Sequence, residues 1–112
     1  MTSNLKIPDN LIQIIKTSKS NPSTLLVLDF TASWCGPCQT LSPNLEILAK
    51  KCSNVLFYKI DYDNPLMRDI FNHFSVSCMP SLVFLKNGEE CTNKIVGLPD
   101  ISLLTNTIVN FS

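Results

Sequence analysis

The spacing of apolar positions changes several times along this chain, and each change marks an element. In PDNLIQIIKTSKS the apolar residues 11, 12, 14 and 15 trace a short helix that ends in polar residues. TLLVLDF (24–30) is instead a continuous apolar run broken once, by Asp29, which suits a strand covered on both faces. Beyond Gly36, residues Cys38, Leu41, Leu45, Leu48 and Cys52 recur at steps of three, four, three and four, one stripe of a helix. Pro43 lies inside that helix, where it removes a backbone donor and crowds the preceding turn, so a kink is expected. NVLFYKID (54–61) alternates as a strand. DNPLMRDIFNHF then opens on Asn64 as a cap with Pro65 at the first helical position, and its stripe is Met67, Ile70, Phe71 and Phe74. SLVFLKNGEECTNKIVG reads as two strands joined at Asn87-Gly88, a strong hairpin signal. PDISLLTNTIVNF puts Ile101, Leu104, Ile108 and Phe111 on one face of a last helix.

The order is helix, strand, helix, strand, helix, hairpin, helix, and Asn4–Ile7 could add a short first strand. Strands separated by helices run parallel by crossover, whereas a hairpin is antiparallel. A mixed central sheet with helices on both faces follows, an α/β architecture. No linker or repeat interrupts it, so residues 1–112 are expected to form a single domain.

Composition narrows the function. Nine basic and nine acidic residues cancel, Arg68 is the sole arginine, and no Lys/Arg-rich block occurs. Nucleic acid and anionic lipid therefore have no evident electrostatic hold. Apolar runs fall far short of the roughly 20 residues that a membrane helix needs. The start, MTSNLKIPDNLIQIIKTSKSN, lacks the sustained apolar core of a secretory signal, so a reducing, cytoplasmic setting is expected. Five cysteines fit it, since an odd number argues against a fully paired disulfide framework.

Chemistry concentrates in TASWCGPCQTLSPNL (31–45). Cys35 falls where a buried strand ends and a helix begins, at the carboxyl edge where open α/β sheets place their sites. Free backbone N–H groups and the positive end of the helix dipole favour a thiolate there. Cys38, one turn on, shares the stripe of Leu41 and Leu45 and should point inward. One thiol at the lip and one behind it suit attack on a disulfide followed by resolution of the mixed disulfide. Asp29 shares a strand face with Leu25 and Val27. Desolvation should raise its pKa and make it a proton acceptor near neutral pH, serving Cys38 through a water. Lys59, on the strand expected alongside, is placed to approach Asp29 and modulate it. Trp34, at the helix mouth, is expected to act as a lid beside the thiol.

These residues resemble the thioredoxin family over essentially the whole chain, and its eukaryotic cytosolic members in particular. Trp34-Cys35-Gly36-Pro37-Cys38 is identical to the family's active-site motif, and Asp29, Pro43 and Lys59 fall where the family carries a buried acid, a helix proline and a strand lysine. CMPSLVFLKNG (78–88) resembles its cis-proline segment, which makes Pro80 the expected cis residue. The resemblance implies the thioredoxin fold, a central mixed sheet of about five strands flanked by about four helices. It implies substrate binding at Trp34, Gly36, Pro37, Met79, Pro80 and Gly97, with the Met79 backbone pairing to an extended substrate segment. It also implies a redox-active Cys35–Cys38 pair without bound cofactor, reduced by a thioredoxin reductase that uses NADPH. Targets of the peroxiredoxin or ribonucleotide reductase type are expected, with a mainly monomeric protein. Cys78 is a candidate regulatory thiol or the site of a disulfide-linked dimer. The chain departs from many members at Thr31, where they carry a second aromatic.

Other readings of the cysteine pair are weaker. Zinc needs two further ligands at suitable spacing, and Cys52, His73, Cys78 and Cys91 are scattered. A permanent disulfide closing so short a loop would remove little chain entropy. A binding or assembly subunit would not need Asp29 and Pro80 beside an intact pair. A disulfide isomerase would carry histidine between the cysteines, whereas Gly36-Pro37 brings no charge.

Overall fold

In the computed structural model, which describes residues 3–112, strand β1 (Leu26–Thr31) is buried along its whole length. Strand β2 (Leu56–Asp61) lies parallel to it on one side, with Leu26 opposite Leu56 and Asp29 opposite Lys59. Strand β3 (Ser81–Lys86) lies antiparallel on the other side and sets Leu82 against Asp29. Two short strands, β4 (Glu89–Glu90) and β5 (Ile95–Val96), both pair with β3. The five-stranded mixed sheet and four helices among the described residues are the expected architecture.

Successive β1 side chains serve opposite layers, as strand pleating requires. Leu26, Leu28 and Phe30 pack with Ile14 of α1 (Leu11–Ser20) and with Ile70 and Phe71 of α3 (Arg68–His73). Phe30 and Phe71 meet edge to face, with ring centroids 4.8 Å apart. Leu25 and Val27 pack with Leu41 and Leu45 of α2 (Gly36–Lys51) and Leu104 and Ile108 of α4 (Ile101–Phe111). The α2 stripe is buried through Cys38, Leu41 and Leu45, and the helix continues across Pro43 rather than ending there. In α4 the buried face starts at Leu104, since Ile101 is exposed. No helix among the described residues is long and apolar enough to cross a membrane.

Local signals set the boundaries. Asn10, Asn64 and Asp100 cap their helices by accepting the N–H of Gln13, Leu66 and Ser102 at 2.8, 3.1 and 2.7 Å. After Asn64 the chain makes one 3-10 turn (Pro65–Met67) before α3, and Met67, Ile70, Phe71 and Phe74 are all buried. Asn87 and Gly88 both take left-handed backbone conformations, φ 51° and 82°, as a tight hairpin turn demands.

Two expectations change. The return arm of the hairpin is divided: β3 residues 81–82 and 85–86 pair with 95–96 and 89–90, so two residues on one side face four on the other. Cys91 N–H still reaches the Phe84 carbonyl (2.9 Å), but polar Thr92, Asn93 and Lys94 loop away, and Lys94 closes the excursion on Glu90 at 2.9 Å. Second, Asn4–Ile7 is not a strand but a single bridge, Lys6 to Tyr58. Its ladder cannot extend, because Pro8 has no N–H and the Asn4 N–H is taken by Glu46 of α2 at 2.8 Å.

Candidate active site

β1 delivers the chain through a turn at Ala32–Trp34 to Cys35, the N-cap of α2. The extended backbone of Cys35 (φ −95°, ψ 109°) leaves its sulfur free to accept the Cys38 N–H at 3.3 Å. The cap therefore uses a sulfur where an Asn or Asp oxygen would ordinarily serve, and the first helical turn brings the second thiol beneath the first. Cys35 and Cys38 are joined by a disulfide, their Cα atoms 5.3 Å apart. Both pack against Ala32, with Tyr62 and Met79 half-buried around them. Cys35 keeps 7% of its surface and Cys38 2%, so the outer sulfur is the more accessible. Gly36 and Pro37 stand exposed in the first turn.

Asp29 lies below, on the strand face that α2 covers. It is 5% exposed, and its Oδ1 finds no hydrogen-bond partner. A buried carboxylate without donors is poorly solvated, and burial pushes the Asp29 pKa up to about 7, while the positive charge of Lys59 opposes the shift. Lys59 sits across from Asp29 in the parallel register, on the same sheet face, with its own side chain exposed.

The second wall comes from the β3 approach. The Met79–Pro80 bond is cis; Pro80 is buried, and Met79 leans on the disulfide cluster. Gly97, just after β5, donates its N–H to the Pro80 carbonyl at 2.8 Å. Its φ of 85° favours glycine, and nothing lies within 4 Å of where a Cβ would stand, so the space in front of it is open. Cys78 is exposed at the rim, and its carbonyl accepts the Ser81 hydroxyl at 2.7 Å. Among the sequence-predicted residues, the fold thus gathers Cys35, Cys38 and Met79 directly, ties Gly97 to Pro80, and sets Asp29 with Lys59 beneath.

Trp34 is 66% exposed, which removes it from the core. Its indole N–H donates to Asp63 Oδ1 at 2.9 Å, while Asp63 Oδ2 accepts the Ser33 hydroxyl (2.6 Å) and backbone N–H (2.9 Å). These bonds, the Ser33 hydroxyl foremost, hold the Asp63 carboxyl below its ordinary range. Sequence reasoning missed Asp63. The available signal was positional: parallel β1 and β2 end side by side, so an acid just past β2 arrives beside residues just past β1. Of the remaining thiols, Cys52 is the C-cap of α2, and Cys91 donates to the Phe84 carbonyl at 3.5 Å, its pKa pushed up by burial.

A disulfide at a strand-to-helix junction, next in the chain to an exposed tryptophan and packed against the methionine of a cis Met79–Pro80 bond, defines a protein of thiol–disulfide exchange. The thioredoxin family model matches residues 9–110. An H-type thioredoxin of Fagopyrum esculentum is 44% identical over 86 residues, 77% of this chain and 72% of that protein. Thioredoxin H1 of Arabidopsis thaliana is 46% identical over 80 residues, 70% of this chain and 68% of its own length. Among solved structures, Fasciola hepatica thioredoxin superposes with a TM-score of 0.86 at 32% identity, over 96% of this chain and all of that one. This chain belongs to the thioredoxin family. Its activity is thiol–disulfide oxidoreduction, with Cys35–Cys38 as the redox-active disulfide at the family's active-site position and the arrangement of a disulfide reductase. Disulfide-containing substrates and a reductase partner follow from the family.

Proposed function

We propose that the chain, one domain over residues 1–112, is a general protein-disulfide reductase that divides the work between its two sulfurs. In the reduced form the Cys35 thiolate attacks one sulfur of a substrate disulfide. A Cys35–substrate bond forms, and the other substrate sulfur leaves as a thiolate. Cys38 then gives up its proton and attacks Cys35 Sγ, which closes the internal disulfide and releases the second substrate thiolate. Two electrons have passed to the substrate. Placement of Cys35 at the α2 N-terminus, where backbone N–H groups and the helix dipole favour negative charge, supports its role as nucleophile. The observation that carries the division of labour is the ordering of the sulfurs, the outer at the cap and the inner on the buried stripe.

Asp29 accepts the Cys38 proton through a water, and Lys59 tunes its basicity. The pKa of about 7 and the unpartnered Oδ1 support that role, because a proton acceptor works best near ambient pH. Trp34, Gly36, Pro37, Met79, Pro80 and Gly97 form the docking surface, on which an extended substrate segment pairs with the Met79 backbone. A thioredoxin reductase returns the electrons from NADPH. Within this reading the protein serves electron transport and redox homeostasis in the cytoplasm, on targets of the peroxiredoxin or ribonucleotide reductase type. It is mainly a monomer, with Cys78 free to link two copies.

Insulin reduction driven by dithiothreitol tests the reading. The wild type should accelerate precipitation of insulin chains and Cys35→Ser should not. Cys38→Ser should retain substrate proteins in dithiothreitol-sensitive complexes through Cys35. Equal activity of wild type and Cys35→Ser would contradict the proposal.

A further inference from the structure

With Thr31 ending β1, the strand face that carries Asp29 has no aromatic, and Tyr62 follows the end of the adjoining strand. Its N–H donates to the Thr31 carbonyl at 2.9 Å, which fixes the backbone of residue 62 beside the end of β1. Its half-buried ring packs against the Ala32–Cys35–Cys38 cluster and meets Trp34 edge to face, centroids 6.4 Å apart at 90°. On the inner side it stands perpendicular to Phe71 at 5.2 Å, so the ring is anchored in the α1/α3 layer. Arg68 completes the enclosure. Its guanidinium carbon lies 4.1 Å from the Tyr62 ring centroid, and its Nε–H donates to the Tyr62 carbonyl at 3.2 Å. Among the described residues Arg68 forms no salt bridge, so the sole arginine of the chain is committed to this stack.

We propose that Tyr62, clamped by Arg68, is a positioning residue for disulfide exchange: it supports Trp34 and closes the inner flank of the Cys35–Cys38 pair. Trp34 is held at two points. Asp63 fixes the indole N–H, which sets where the ring's polar corner lies, and the Tyr62 edge limits how the plane can turn. An exposed indole held in this way offers a substrate a preformed apolar surface and loses less freedom on binding. Arg68 acts through the ring, because a guanidinium over an aromatic face and a hydrogen bond to the same residue's carbonyl restrain side chain and backbone together.

The inference rests on the reductase reading, and two measurements keep the failures apart. Tyr62→Val removes the ring, Tyr62→Phe keeps it, and Arg68→Gln removes the clamp at an exposed position. Because Trp34 is the only tryptophan, fluorescence excited beyond the tyrosine absorption band reports this site alone. Loss of an edge-to-face contact should raise KM for a protein disulfide about three- to tenfold with kcat nearly unchanged. Trp34 anisotropy should fall in parallel, and Tyr62→Phe should restore both. Should Tyr62→Val not fold, Arg68→Gln decides, with a KM rise of about twofold or more and a lower anisotropy expected. An active wild type with KM and anisotropy unchanged in the folded variants would overturn the positioning role, whereas an inactive wild type would overturn the reductase reading.

Discussion

Leu28 and Asp29 are neighbours on β1, yet they face layers built on different terms. The α1/α3 layer is apolar but for Ser18, whose hydroxyl accepts the Gly88 N–H at 2.8 Å; Phe30, Ile60, Ile70, Phe71 and Leu85 fill it, and aromatic rings meet edge to face. The α2/α4 layer is also apolar around Val27, Leu41 and Phe84, but toward the helix mouth it holds a buried acid with an unpartnered oxygen. The first arrangement serves stability, since every buried group there prefers the folded environment. The second sacrifices some of it, because an uncompensated carboxylate is worse off folded than in water. One strand thus supports both: its even-numbered side chains build a foundation, and Asp29 sets a buried, unpartnered carboxyl in the layer that α2 covers.

The largest expected difference lies in opposite signs of stability. Phe30→Ala should cost about 3–5 kcal/mol by opening a cavity, while protein that remains folded still resolves mixed disulfides normally. Asp29→Asn should instead stabilise the fold above neutral pH, by up to about 4 kcal/mol for a carboxyl raised from 3.8 to about 7. The sign follows from the direction of that shift. The folded state holds the proton more tightly, so wild-type stability from this group is fullest below about pH 4 and declines as pH climbs to about 7. Denaturant melts across this range should show the Asn variant's advantage growing from near zero to its maximum. Equal stability at pH 8 would remove the contrast between the layers.

Kinetics sharpen the same contrast. Single-turnover resolution of a Cys35 mixed disulfide should accelerate through about pH 7 in the wild type, as Asp29 ionises. In Asp29→Asn it should be roughly tenfold slower and lose that inflection. Rapid-quench measurements read both. An unchanged profile would strip Asp29 of its proton-transfer role.

Much of this fold was legible because its signals are local. Steps of three and four placed Cys38, Leu41 and Leu45 on the buried side of α2, and Asn64-Pro65 fixed where the next helical segment starts. Asn87-Gly88 marked the turn for the same reason, since few residues tolerate that backbone. What escaped depends on neighbours distant in sequence. The division of β4 from β5 arises where Thr92-Asn93-Lys94 leave the β3 edge, and a run of polar residues does not announce a register jump of two. Asn4–Ile7 has strand composition, but the N–H groups of Asn4 and Leu5 are claimed by Glu46, far along the chain. Asp63 and Tyr62 look like ordinary loop residues until parallel pairing sets them beside Ser33 and Trp34. The Cys35–Cys38 pair, the burial of Asp29 and the cis bond before Pro80 were readable; the aromatic and acidic groups that hold Trp34 were not.

The smaller effects concern the rim. Gly97→Ala forces a side chain into φ 85°, at a cost of about 1 kcal/mol, and should weaken protein-substrate binding more than dithiothreitol turnover. Thermal melts and KM values against insulin measure the two consequences. Cys78→Ser should change neither stability nor turnover by more than about 0.5 kcal/mol equivalent, as expected for an exposed position. It should abolish any dimer formed under peroxide, seen on non-reducing gels.

The central claim is that the reduced site holds its outer sulfur as an anion at the mouth of α2. Alkylation of the fully reduced chain by iodoacetamide at pH 7, with each cysteine quantified by mass spectrometry, tests it most directly. Cys35 should be modified well ahead of Cys38 and at least about tenfold faster than a free cysteine peptide. Modification of Cys38 first, or of Cys35 no faster than the peptide, would contradict the account.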